Sequence, residues 1–278
     1  MSTVVITGCS SGVGLATAVH FASRGWTVVA TMRDLSRSGS LESALVSTGS
    51  FADVRALDVA SDSSVTNAMA AIIADHGAPD VVINNAGVGS DGTTEEVPLD
   101  EFRSVIETNL FGNVRLLHAL MPSWRARGRG RYISVGSVCG AIGQPFQDAY
   151  SASKFAVEGM LESLRPVASQ FGIDVTVVEP GPVSTGFVTT FTNVDRALDG
   201  PYAVARGALQ AIQERGHAAG QTPEEIGALL WEVANAERPA LRYQSCEAVT
   251  KMVAQKLKDL SGARLVAMTE RWIVPKEE

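Results

Sequence analysis

Thr3-Val-Val-Ile-Thr-Gly-Cys-Ser-Ser-Gly-Val-Gly14 runs from a β-branched apolar segment through a glycine-rich turn into a helical pattern. Strand, tight turn and helix in that order form a βα unit. Glycines let the backbone approach a ligand, and the helix start offers free N–H groups to a pyrophosphate. The spacing is G-x-x-x-G-x-G rather than G-x-G-x-x-G. On its own the turn therefore reads either as a phosphate cradle or as an ordinary βα turn. Gly8, Ser10, Ser11, Gly12, Val13 and Gly14 are the candidate cofactor contacts at this end.

Working outward, valine- and isoleucine-rich runs recur at 3–7, 27–31, 53–57, 81–84, 131–135, 174–178 and 240–243. Amphipathic stretches at 12–24, 61–75, 100–127 and 150–170 lie between them. This alternation predicts an α/β fold: one Rossmann-like, doubly wound parallel sheet of about seven strands, in a single domain over 1–278. Asp100 is expected to cap its helix, and Thr222-Pro-Glu-Glu225 is a capping box with proline at the first helical position. Pro166 should kink or end the ladder of its helix. Residues 186–238 break the rhythm before the last strand, as either a substrate lid or a structural excursion. Phe187, Val188, Phe191 and Leu198 in that segment, with Phe146 ahead of it, are expected to line an apolar pocket.

With 278 residues, 45% of them hydrophobic, the chain can bury a sizeable core. A net charge of −7 without a long Lys/Arg run argues against nucleic acid and anionic membrane as partners. Three scattered cysteines form neither a disulfide framework nor a zinc site, and the four histidines cluster with nothing, so no metal is expected. Cys9 and Cys139 fall near the predicted site, where they read as small buried hydrophobes, Cys139 doubling as a candidate substrate contact. No apolar run is long enough to span a bilayer. The first strand begins almost at once, which leads us to expect no signal peptide and a cytoplasmic location.

Two further stretches carry chemistry. The second strand ends Ala30-Thr-Met-Arg-Asp34, with Met32 where an acid would bind the ribose hydroxyl of NAD, and Arg33 next. This favours NADP(H) over NAD(H), although Asp34 follows directly and blurs the preference. Tyr150-Ser-Ala-Ser-Lys154 sets a phenol and an ammonium one helical turn apart, roughly 5–6 Å between Cβ atoms. A lysine there is expected to lower the tyrosine pKa from ~10 and make it a general acid/base. Alone, the pair also reads as an ordinary surface couple.

Taken in order, Thr7-Gly8, Gly12-x-Gly14, Asn84-Asn-Ala-Gly87, Asn109, Ser137, Tyr150-x-x-x-Lys154 and Pro180-Gly181 resemble the short-chain dehydrogenase/reductase family over nearly the whole chain. Thr7-Gly-Cys-Ser-Ser-Gly12, Ala30-Thr-Met-Arg-Asp34, Pro145-Phe-Gln-Asp-Ala-Tyr150, Ser153-Lys-Phe-Ala-Val-Glu-Gly159 and Pro239-Ala-Leu-Arg-Tyr243 resemble its branch of 17-beta-hydroxysteroid and retinol dehydrogenases more closely. The resemblance implies that Ser137 binds the substrate oxygen, and that Tyr150 exchanges the proton. Lys154 would tune Tyr150 and bind the nicotinamide ribose. Asn109 would hold a water linking Lys154 to solvent, or stabilise a helix kink, or both. The backbone of Asn85, Ala86 and Gly87 would pack on the adenosine side. Asp58, followed by Val59, would contact adenine, with helix capping as the alternative for Asp58. Pro180, Gly181, Val183 and Thr185 would hold the nicotinamide.

The expected activity is NADP(H)-dependent interconversion of an alcohol and its carbonyl. A lipophilic substrate is expected, whether steroid, retinoid, fatty or polyketide-like. In this family the 100–127 and 150–170 helices commonly pair between subunits, and Ala152, Ala156, Gly159 and Met160 suit close packing, so a homodimer or homotetramer is expected. Two other readings exist. Epimerisation or dehydration on the same fold is disfavoured by the lack of a large C-terminal domain. A non-catalytic NADP-binding sensor or scaffold is disfavoured by the presence of Ser137, Tyr150 and Lys154.

Overall fold

Seven strands form one parallel sheet: β1 (Thr3–Thr7), β2 (Thr27–Met32), β3 (Asp53–Ala56), β4 (Val81–Asn84), β5 (Gly130–Val135), β6 (Ile173–Glu179) and β7 (Arg242–Gln244). They are seen in a computed structural model that describes residues 1–185, 200–207, 209, 220–254, 256 and 259–263. The order across the sheet is β3-β2-β1-β4-β5-β6-β7. The winding reverses between β1 and β4, where Ile6 pairs with Ala30 on one side and Ile83 on the other. Ligands of such sheets bind outside the carboxyl ends of the strands at this switch point.

All five β1 residues are buried, as expected of a parallel strand covered on both faces. Alternating side chains divide the strand between two cores. Val4 and Ile6 pack towards α1 (Gly12–Ala22), α2 (Gly39–Ser47) and α7 (Pro223–Asn235). Val5 packs towards α3 (Asp62–His76), α5 (Gly112–Arg127) and α6 (Asp148–Ser169). Two shorter helices, α4 (Leu99–Ile106) and α8 (Glu247–Ala254), flank the site.

The capping box of α7 is formed: the Glu225 N–H donates to Thr222 Oγ1 at 3.2 Å, and the Thr222 N–H to Glu225 Oε2 at 2.7 Å. Four local expectations need correction. The helix expected from Asp100 starts at Leu99 with Pro98 at the cap position, so Asp100 lies in the first turn, beside the positive helix end. The single helix expected over 100–127 is α4, a π-helical turn at Glu107–Phe111, and α5. Pro166 does not end α6, which continues to Ser169. A proline this late removes one ladder bond without stopping the last turn. Finally, β7 starts two residues later than expected, and α2 and α8 are helices beyond the expected amphipathic stretches.

Within the 186–238 segment, Phe187, Val188, Phe191 and Leu198 lie outside the described residues. Its last helix, α7, covers the sheet: Ile226, Leu230 and Val233 are in the β1 core. A Cβ on Gly227 would meet the Thr17 backbone of α1 at 3.2 Å. Among the described residues, no helix is long and apolar enough to cross a membrane.

Candidate active site

The turn after β1 is braced by β4. Thr7 Oγ1 donates to Asn84 Oδ1 (2.7 Å) and accepts from the N–H groups of Asn85 (3.0 Å) and Ala86 (2.9 Å). Asn85 Nδ2 returns to the carbonyls of Thr7 (2.9 Å) and Gly8 (3.2 Å). Gly14 is pressed into this brace, since a Cβ there would stand 2.3 Å from Gly8 O. Gly12 has a φ of 56°, a left-handed conformation natural to glycine. Ser11 stands at the N-cap of α1 and makes no side-chain cap bond, so the first N–H groups of the helix are left for an anion. A close-approach glycine turn on a helix start fits a dinucleotide pyrophosphate.

At the end of β2, Met32 is buried in the core and Arg33 is exposed. Asp34 is engaged elsewhere: its Oδ1 accepts from the Ser36 N–H at 3.0 Å and caps the short turn Leu35–Arg37. Those Ser36 bonds hold its carboxyl below the ordinary range. Asp58 makes a local turn, accepting from the Ala60 N–H at 3.0 Å, whereas Ser61 caps α3. Val59 is buried against Gly112 of α5, so its side chain belongs to the core.

The other half of the site gathers where β5 ends. Tyr150 and Lys154 are 8% and 7% exposed, on the inner face of α6, which rules out an ordinary surface pair. Lys154 Nζ donates to the Val135 carbonyl at 2.9 Å and lies 5.6 Å from the centre of the Tyr150 ring. Ser137 is extended, accepts from the Cys139 N–H at 3.1 Å, and its hydroxyl neighbours the Tyr150 phenol. The expectation that Lys154 lowers the phenol is not met. Burial pushes Tyr150 up, Cys139 adds to this, and the neighbouring Ser137 hydroxyl opposes it. Burial instead brings the Lys154 ammonium down to about 8.

Asn109 sits inside the π-helical turn, a feature frequent at functional sites. Its Oδ1 accepts from the Val88 N–H, and its Nδ2 donates to the Val88 carbonyl and to Ser153 Oγ, each at 2.9 Å. These bonds tie the π-helical turn to the loop after β4 and to α6. A Cβ on Gly87 would lie 3.2 Å from Asn109 Oδ1 and 3.8 Å from Lys154 Nζ, so the three residues converge.

The loop after β6 closes the site. The Pro180 carbonyl accepts from the Val138 N–H at 2.9 Å, and the Gly181 N–H donates to Ser245 Oγ at 3.2 Å. Val183 pairs with Gln221. A Cβ on Gly12 would come within 3.3 Å of Thr185 Cγ2, so the loops after β1 and β6 meet. Cys9 and Cys139 are buried, and burial raises their thiols to about 12 and about 11. Cys139 packs in the same cluster as Tyr150.

One residue at the site escaped the sequence reading. Arg206 is 8% exposed, ion-pairs with Asp91 and, at 2.8 Å, with Glu96, and places its guanidinium 4.5 Å from the Phe146 ring centre. Phe146 has a φ of 61°, uncommon for a bulky residue, and its carbonyl accepts from the Gly92 N–H at 2.7 Å. A single buried cation thereby ties the loop after β4, the turn before Tyr150 and residues 200–207 together.

Residues 2–195 match the family model described as short chain dehydrogenase. Retinol dehydrogenase 8 of Bos taurus is 40% identical over 275 residues, covering 95% of this chain and 88% of its own. The 17-beta-hydroxysteroid dehydrogenase type 1 of Homo sapiens is 36% identical over 283 residues, covering 96% and 84%. A short-chain dehydrogenase structure from Streptomyces avermitilis superposes with a TM-score of 0.79 at 27% identity, over 99% of this chain and 98% of that one.

Proposed function

The chain belongs to the short-chain dehydrogenase family, and we propose that it interconverts a lipophilic alcohol and its carbonyl compound with NADP(H), using Tyr150 as general acid/base. The observation that carries this reading is the burial of Tyr150 and Lys154 on one inner face of α6, with the Ser137 hydroxyl beside the phenol. When bound, the nicotinamide supplies or accepts hydride. Gly8, Ser10, Ser11, Gly12, Val13 and Gly14 would hold the pyrophosphate. Asn85, Ala86, Gly87, Asp58 and Val59 would lie along the adenosine side, and Pro180, Gly181, Val183 and Thr185 would hold the nicotinamide. Tyr150, kept as a neutral phenol by burial, gives its proton to the carbonyl oxygen in reduction and takes one in oxidation. The Ser137 hydroxyl donates to the same oxygen as negative charge develops. Lys154 would hold the nicotinamide ribose, with Asn109 positioned beside it. The names of the relatives support a retinoid- or steroid-like substrate.

Absorbance of NADPH during incubation with all-trans-retinal, estrone and a medium-chain ketone tests the reaction. Cofactor binding without turnover on any of them favours a sensor. The NADP(H) preference rests on exposed Arg33 and on Asp34 being engaged in its own turn. Arg33→Asp should move the NADPH/NADH ratio of kcat/KM towards NADH by about one to two orders of magnitude, the worth of a charge-assisted bond. An unchanged ratio would sink the 2′-phosphate assignment.

Arg206→Met should raise KM for the carbonyl substrate several-fold while leaving KM for NADPH alone. It loosens only the wall formed by Asp91, Glu96 and Phe146. Equal changes in both constants would count against that placement. Ala152, Phe155 and Gly159 form an exposed stripe on α6, and Phe111 is exposed ahead of α5, which supports helix pairing across a homodimer.

A further inference from the structure

Behind the catalytic residues, three carboxylates surround one guanidinium. Arg242 Nε of β7 donates to Glu158 Oε2 of α6 at 2.9 Å, and Arg242 also pairs with Glu162. The same Nε stands 3.8 Å from Glu179 Oε1, at the end of β6. Gln244 Nε2 donates to Glu179 Oε2 at 2.8 Å. Glu158 and Glu179 are 7% and 0% exposed. This leaves Glu158 Oε1 and Glu179 Oε1 both buried and, among the described residues, without a hydrogen-bond partner, in carboxyl groups that neighbour each other. Two ionised carboxylates only accept and cannot satisfy one another. One proton turns the couple into a donor and an acceptor.

We propose that Glu158 and Glu179 share one proton between their Oε1 atoms, forming an acid pair that fixes the end of β6 to α6 directly behind Ser137 and Lys154. Its placement is tight. A Cβ on Gly136, the residue before Ser137, would lie 3.7 Å from Glu158 Oε1, and one on Gly140 would lie 3.2 Å from both Glu158 Cγ and the Lys154 carbonyl. Glu179 leads directly into Pro180 of the loop after β6. Neither carboxyl touches a reacting atom, so both are positioning residues. The charged groups facing them are Lys154 and Glu162 from α6 and Arg242 from β7. Gln244 is neutral, and the glycines at 136 and 140 bring no charge from the β5 side.

The sign of the pH dependence follows. Burial, followed by the neighbouring Glu179, raises Glu158 to about 8, whereas an unfolded glutamate releases its proton near ~4.3. The folded chain therefore binds the extra proton across that window. The pair's stabilisation is full below ~4.3 and fades as pH rises to about 8. Once the proton leaves, a second negative charge stands one helical turn from Lys154 and favours its ammonium, coupling the pair to the active site.

Thermal unfolding of the full chain at about pH 6 and about pH 9 tests this directly. A glutamine at either position supplies permanently the donor that the proton supplies. Glu158→Gln and Glu179→Gln should each gain on the wild type as pH rises, with a small Tm advantage at the lower pH and one of several degrees at the higher. The double variant, which strips Arg242 of both buried partners, should fall below the wild type at both. Carboxyl ¹³C titration of glutamate-labelled wild-type protein should show one group titrating far above the ordinary range, and each single variant should lack it. Single variants equally destabilised at both pH values, or the absence of such a group, would overturn the shared proton. With all-trans-retinal and NADPH, Glu158→Gln should move the alkaline limb of kcat/KM; an unmoved limb would overturn the coupling to Lys154. The unfolding and titration arms need no turnover, so they are decided apart from the proposed reaction.

Discussion

Tyr150→Phe is expected to bind NADPH like the wild type and to lose turnover by about 10²–10⁴-fold, the contribution of a positioned general acid. The substitution is nearly isosteric. The ring keeps its place against Val138, Cys139 and Ala141, Ser137 keeps its bond from the Cys139 N–H, and Lys154 stays on the Val135 carbonyl. Only the phenolic hydroxyl, and with it the transferable proton, is removed. Because burial raises the phenol rather than lowering it, Tyr150 rests in the protonated form, the form that reduction of a carbonyl requires. Fluorescence titration with NADPH and single-turnover absorbance with all-trans-retinal separate binding from chemistry. A variant that keeps the wild-type rate removes Tyr150 from proton transfer.

The contrast between the phenol's place and its acidity shows what a sequence can carry. The Tyr150/Lys154 face follows from helical spacing, and the parallel doubly wound sheet follows from alternating βα units, so both are legible. The pKa direction is not, because it depends on how completely α6 is covered, which no local pattern reports. Asp34 is similar: its identity suggested a ribose contact, and only the geometry shows it capping its own turn. Arg206 was invisible for a different reason. Its partners lie 115 and 110 residues away, in loops whose meeting depends on the whole sheet. The same holds for Arg242, 84 residues from Glu158. By contrast, α2 and α8 were readable in principle, since Leu41/Leu45 and Val249/Val253 are buried pairs at helical spacing. Short helices of 9 and 8 residues give such spacing little room to repeat.

Gly14→Ala sets two physical effects against each other. Gly14 is in the first turn of α1, where helix propensity alone favours alanine by up to about 1 kcal/mol. Against this, the new Cβ would stand 2.3 Å from Gly8 O, 2.8 Å from Gly8 C and 2.5 Å from Asn85 Nδ2. Gly8 cannot retreat: it has a φ of 73° and already lies close to Ala86, where a Cβ on Gly8 would meet Ala86 Cα at 3.0 Å. Asn85 can swing away only by releasing the carbonyls of Thr7 and Gly8. Either α1 lifts from β1, or the turn loses its brace. Overpacking of this kind costs about 1–3 kcal/mol, and the upper end applies where the obstacle is backbone. At this chain length that lowers Tm by roughly 2–4 °C per kcal/mol. Since the displaced atoms are those of the proposed phosphate cradle, the Kd for NADPH should rise by at least about tenfold, or 1.4 kcal/mol. Gly143→Ala is the control, because among the described residues a Cβ there meets nothing within 4 Å. It should leave both Tm and Kd unchanged. A Gly14→Ala protein more stable than the wild type would mean that propensity wins and the turn has room. A stable one that binds NADPH normally would move the pyrophosphate away from Gly8 and Gly14.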